Sequence, residues 1–223
     1  AEGRGSEKKV TTLAFTGDLG RKGAAVVRDP DIIDRADVLI TESTYGGRSH
    51  GPMNEARKNL ARVVSETANN GGLLIIPAFA VGRTQDVVYH LHELMESKEI
   101  PSMPVYVDSP LATNITEIFR QHPECFDEET ERLLMQDGGE DPFGFNMLQY
   151  THSTEESKKL NNIRRPAIII SASGMCEGGR VLHHLRRNID DPNTTILFVG
   201  FQAENTLGRK LLRGDKTARI YGE

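Results

Sequence analysis

Three short apolar runs constrain what this chain can fold into: LLII at Leu73–Ile76, AIII at Ala167–Ile170 and ILFV at Ile196–Val199. None alternates apolar with polar residues. A strand with one wet face would alternate, because successive side chains point to opposite faces. Unbroken apolar runs of this length read as strands buried on both faces, as in a parallel sheet covered by helices. The full strand set is Val10–Phe15, Val38–Thr41, Gly72–Pro77, Val105–Val107, Met147–Tyr150, Ala167–Ser171, Thr195–Val199 and a final Ala218–Tyr221.

Helical patterns sit between the runs. Asn54–Ala68 gathers Leu60, Val63 and Val64 on one face, and Thr84–Ser97 gathers Val87, Val88, Leu91, Leu94 and Met95. Pro110–Arg120, Thr154–Leu160 and Gly179–Asn188 complete the set. Strands alternating with helices imply βαβ units, so the expected class is α/β with a mostly parallel sheet flanked by helices. Gln121–Phe145 breaks the rhythm. It is acidic, carries Gly138-Gly139 and Pro142, and reads as an insertion or long loop with one short helix.

Composition narrows the function classes. At 223 residues the chain is long enough to bury roughly 70% of its unfolded surface without staples. A net charge of −5 argues against a broad basic face, while a local basic cleft stays open. Its two cysteines, Cys125 and Cys176, form no CxxC, which argues against a disulfide framework or zinc ribbon and points to a reducing cytoplasm. No run reaches the length of a membrane span, and no signal peptide is visible. The polar Ala1–Lys8 reads as a frayed end or a loop cut from something longer.

Two segments end an apolar strand on a carboxylate. In FTGDLG (Phe15–Gly20), Asp18 stands at the carboxyl edge of a strand, where its position is fixed and its oxygens face a crevice. A turn aspartate bonding its own backbone is the bland alternative. In TESTYG (Thr41–Gly46), Glu42 leaves a buried strand, an awkward place for a carboxylate unless it is paired or in a site. A loop-bracing or helix-capping role is the alternative.

Four more segments carry polar groups at strand ends. PAFAVGRTQD places Arg83 where a glycine opens a helix, a position suited to phosphate or to plain solvation. SASGMCEGGRVLHHLRR places Ser173, Gly174 and Arg180 in a small-residue turn whose N–H groups can converge on an anion. It matches neither a Walker loop nor GxGxxG, and His183–His184 reads as part of a solvated basic helix. VDSPLA reads as mainly structural, with Ser109 a cap. VGFQAENTLGR at Val199–Arg209 could line the same crevice.

In this order, the six segments resemble the metallo-β-lactamase proteins with a β-CASP domain. The likeness is strongest to the RNA-processing branch, which holds the polyadenylation endonuclease subunit and its bacterial and archaeal relatives. The resemblance covers the chain from about Val10 onward. It implies that residues 1–47 are part of a metallo-β-lactamase αββα domain and residues 48–223 a β-CASP domain. It further implies a zinc-dependent ribonuclease hydrolysing RNA phosphodiester bonds. In that scheme Asp18 is catalytic and a ligand of two zinc ions. Glu42 is catalytic through a histidine that it orients. Arg83, Ser173, Gly174 and Arg180 contact RNA phosphates in the cleft.

The family's HxHxDH motif is absent, as are its later histidine motifs. His50, His90, His92, His122, His152, His183 and His184 match none of them. The expectation is therefore a fragment that supplies the RNA clamp and one wall of the site. By itself it would bind no zinc and be inactive. RNA is the expected partner and no membrane is expected; a homodimer is one option. The alternative is a non-catalytic β-CASP scaffold or RNA-binding subunit. A Rossmann-like nucleotide-binding domain would need a dinucleotide fingerprint, and none is present.

Overall fold

The computed structural model describes residues 10–47, 49, 51–135 and 141–223. Ala1–Lys8, His50 and Gly138-Gly139 lie outside the described residues. In chain order the elements are β1 (Leu13–Phe15), β2 (Val38–Ile40), α1 (Met53–Asn69), β3 (Leu73–Pro77), α2 (Arg83–Glu96), β4 (Val105–Val107), α3 (Pro110–Gln121), α4 (Glu128–Met135), β5 (Leu148–Tyr150), α5 (Thr154–Lys159), β6 (Ala167–Ser171), α6 (Val181–Asn188), β7 (Thr194–Ile196) and α7 (Leu207–Arg213). Two single 3₁₀ turns, Pro123–Cys125 and Leu160–Asn162, link them.

Five strands pair in the order β5-β4-β6-β3-β7, all parallel. This is the expected α/β architecture. Every residue of β3 and β6 is buried, because helices cover both faces. On one face, Leu74, Ile76, Val105, Val107, Ile168 and Ile170 pack against Leu60 and Val64 of α1 and Val88, Leu91 and Leu94 of α2. On the other, Leu73, Ile75 and Ile169 meet Val181 and Leu185 of α6 and Leu207 of α7. Burial of each such side chain stabilises the fold by about 1.5–3 kcal/mol.

Local signals set the helix starts. Pro110 opens α3, and the Ser109 hydroxyl accepts the Ala112 N–H at 3.2 Å. Ser153 and Glu156 form a reciprocal capping box on α5. Gly72 leads into β3, where the chain passes so close to its neighbour that an added Cβ would stand 2.1 Å from the Asn193 carbonyl oxygen. The described parts of the acidic insertion are anchored to the domain. Phe126 and Phe143 are buried, and Arg120 grips Asp141 and the Phe143 carbonyl.

β1 and β2 form a separate parallel pair, and their apolar side chains stand in solvent: Phe15 is 74% exposed and Leu13 61%. The structure corrects the sequence pattern at three places. ILFV is not a strand buried on both faces: β7 ends at Ile196, is half-buried and forms an edge of the sheet. Ala218–Tyr221 is no strand; Ile220 seats in the core beside α6 and α7, and the chain curls, with Ile220 and Glu223 exchanging backbone bonds at 2.9 and 3.2 Å. The helix α7 escapes the pattern, because seven residues hold too few apolar repeats to show a helical period.

Ile75 touches core on one face and is flanked by Ile169 and Ile196 across the ladders. Ile75→Ala is expected to lower stability by about 2–5 kcal/mol, read from the urea midpoint at unchanged slope.

Candidate functional site

The N-terminal strand pair delivers its two carboxylates to one edge. Phe15 lies opposite Ile40, so the chain leaves both strands at the same level. The Thr16 N–H donates to the Ile40 carbonyl at 3.1 Å, and the Thr16 hydroxyl reaches that of Thr41 at 3.2 Å. Beyond this point Glu42 accepts the Thr44 N–H at 2.8 Å. Thr44, through its hydroxyl and its N–H, and then Leu19 hold the Glu42 carboxyl below its ordinary range. Asp18 itself is exposed.

These two carboxylates do not amount to a metal centre. Among the described residues, no group of three or more His, Cys, Asp or Glu could hold an ion. Two exposed or half-exposed carboxylates fall short of the four ligands a zinc ion takes. Among the described residues, Asp18 and Glu42 do not by themselves make a complete zinc site.

Tyr45, at the end of the Glu42 turn, meets Phe201 edge to face, with ring centroids 5.8 Å apart. Phe201 follows β7 in the loop at its carboxyl end. The contact plants the carboxylate turn beside the carboxyl edge of the five-stranded sheet, the edge where open α/β sheets bind ligands.

Along that edge lies a buried polar cluster centred on Asp108. From β4 the chain crosses to β5, and from β6 it crosses the other way to β7, so a crevice opens between β4 and β6. Asp108 leaves β4 into this crevice with no exposed surface. Its carboxylate accepts bonds from Thr151 at 2.5 Å, Ser157 at 2.7 Å, Arg180 at 2.8 Å and His184 at 2.7 Å. Burial alone would push this carboxyl up. The bonds from His184, Thr151, Ser157 and Arg180 together outweigh it and hold the group well below the carboxylate range.

This overturns the solvated-helix reading of His183–His184. His184 is 2% exposed and locked to Asp108, while exposed His183 reaches Tyr221 at 3.1 Å. Nor is VDSPLA only a helix start. A signal was available: Asp108 follows a buried strand just as Glu42 follows an apolar one, and Arg180 and His184 are four apart on one helical face.

The four phosphate-contact candidates separate. Arg180 is drawn to Asp108 and to the Thr151 hydroxyl at 3.0 Å, leaving 18% of its side chain exposed. Ser173 is half-buried and bonded within its own turn: its N–H donates to the Gly178 carbonyl, and its hydroxyl accepts the Glu177 N–H, both at 3.1 Å. Gly174 packs against Phe79 in the loop after β3. Arg83, at the end of that loop, is 39% exposed and holds Asp86 at 3.2 Å. Burial pushes the Asp86 carboxyl up, and Arg83 partly offsets this. The structure thus joins Gly174 to the loop that carries Arg83, and commits Arg180 to the crevice.

Asp108→Ala is expected to lower stability by about 3–5 kcal/mol near neutral pH, because it strands Arg180 and His184 without their partner. The folded-state value of Asp108 is depressed, so its contribution is full above the unfolded value of about 3.9 and is lost as pH falls through the folded value. Urea midpoints of wild type and variant should converge as pH is lowered; a gap unchanged in acid would contradict the assignment.

Residues 84–211 match the Beta-Casp domain family. Ribonuclease TTHA0252 of Thermus thermophilus is 35% identical over 212 residues, which cover 95% of this chain and 48% of that protein. Transcription termination factor FttA of Methanosarcina mazei is 34% identical, covering 95% of this chain and 33% of its own length. An RNase J-like protein of Methanocaldococcus jannaschii is 34% identical, covering 94% and 48%. The chain spans half or less of the length of these relatives. With its parallel sheet, covering helices and polar carboxyl edge, the chain belongs to the Beta-Casp domain family.

Proposed function

We propose that this chain is the RNA-gripping part of a ribonuclease that hydrolyses phosphodiester bonds, and that it supplies one wall of the active site. The Tyr45–Phe201 contact carries the reading, because it sets the Asp18–Glu42 turns against the sheet edge that bears Arg83. A relative named a ribonuclease and one named RNase J-like support the same chemistry. On this reading residues 1–47 belong to a metallo-β-lactamase domain and residues 48–223 form the β-CASP domain. The exposed apolar side chains of β1 and β2 support that division, since they form a sheet fragment that other strands would cover.

Asp18 would then be one ligand of a zinc pair whose remaining ligands lie outside this chain. Glu42, braced by Thr44, would orient a neighbouring catalytic group. Arg83 would hold an RNA phosphate as a partly exposed guanidinium. The net charge of −5 leaves RNA attraction to such local groups. Two free cysteines support a reducing cytoplasm as the working compartment.

In the intact protein, Asp18→Ala is expected to abolish cleavage of a single-stranded RNA, by at least about 10³-fold, while circular dichroism stays unchanged. Glu42→Gln should lower the rate by about 10- to 100-fold. RNA binding without any cleavage or metal in the wild type would favour the non-catalytic scaffold. Arg83→Ala should weaken RNA binding evenly across sequences and lower the slope of log affinity against log salt by about 0.7. An unchanged slope would take Arg83 off the phosphate path.

A further inference from the structure

The loop after β3 holds a large apolar side chain in solvent. Phe79 is 41% exposed between buried Ala78 at 1% and buried Ala80 at 8%, and Val81 beyond it is 60% exposed. A phenylalanine left partly in water at the polar edge of a sheet gives up burial that its two neighbours enjoy.

The ring has a built seat. β3 lies between β6 and β7, and Phe79 rests on a glycine from the loop after each. A Cβ at Gly174 would stand 2.9 Å from ring atom Cδ2 and 3.1 Å from Cε2; one at Gly200 would stand 3.8 Å from Cε2. Only glycine at 174 lets the ring lie where it does. Both glycines are pinned by one buried side chain, since the Gln202 amide donates to the Gly174 carbonyl at 2.8 Å and the Gly200 carbonyl at 3.2 Å. The Phe79 carbonyl is pinned by the Thr84 hydroxyl at 2.8 Å and the Thr84 N–H at 3.2 Å. The ring is supported from beneath and open to solvent, four residues before partly exposed Arg83.

We propose that Phe79 is a stacking platform for one base of single-stranded RNA, next to a phosphate held by Arg83. The proposal rests on the RNA-binding reading above. A preorganised aromatic beside a cation is how sequence-tolerant single-strand sites hold RNA, each stack contributing about 1–3 kcal/mol. Because the seat is already fixed by Gln202 and Thr84, stacking orders little of the protein.

The test uses the intact protein, a fluorescent single-stranded RNA, and the same RNA made abasic at one position at a time. Phe79→Ala should weaken binding about tenfold, Phe79→Leu about as much, and Phe79→Tyr little. At one abasic position, wild type and Phe79→Ala should bind alike. Wild-type affinity in Phe79→Ala, or its rescue by Leu, would overturn stacking. So would an alanine defect that persists at every abasic position. A fall in thermal midpoint in Phe79→Ala that Leu restores would assign the ring to protein packing instead. Failure of the wild type to bind RNA at all would remove the RNA reading itself, and shows before any variant is made.

Discussion

The structure depends on one constraint: β3 is hydrogen-bonded on both sides and covered on both faces. Its interior holds no polar side chain, so chemistry is driven to the strand ends. The same holds for β6. The carboxyl edge inherits every group the layers exclude: Thr151 from β5, Asp108 from β4, Ser173 and Gly174 from β6, Phe79 and Arg83 from β3, and Phe201 from β7. The position of the site follows from the density of the core beneath it.

Within that edge two kinds of polar group divide the work. Asp108 is buried and saturated, with four side chains converging on it from two helices and two loops. It fastens α6 and α5 to β4 and β5, and it holds Arg180 in a set direction. Glu42 does a related task in the open, bracing its own turn through the Thr44 N–H. In both places a carboxylate acts by organising its neighbours, and the groups left over, Asp18 and Arg83, are the ones facing solvent.

How much of this is legible in the chain varies with the range of the interaction. LLII and AIII are legible as buried strands because a short unbroken apolar run between turn residues gains most where both of its faces are covered, whereas ILFV lies at the sheet edge and is only half-buried. Strand ends are legible as places where carboxylates and glycines collect. His184 is not, since its partner Asp108 lies 76 residues away and helical periodicity names a face without naming what meets it. The sequence places Arg180 on the edge but leaves its pairing open, for the same reason. The helix α7 and the curl at Ala218–Tyr221 turn on a few residues each, where tertiary packing outweighs local pattern.

The close approach at Gly72 has a further consequence. A strand that is apolar at every position carries no pattern to distinguish one alignment from the next, so LLII could slide by a residue with little change in what it buries. The ends must do what the middle cannot. Gly72, backed against Asn193 where a Cβ would collide, marks the start, and Pro77, which lacks an N–H, marks the finish. Misalignment of β3 would shift Phe79 and Arg83 together along the edge, so these two punctuating residues act as a ruler for the site.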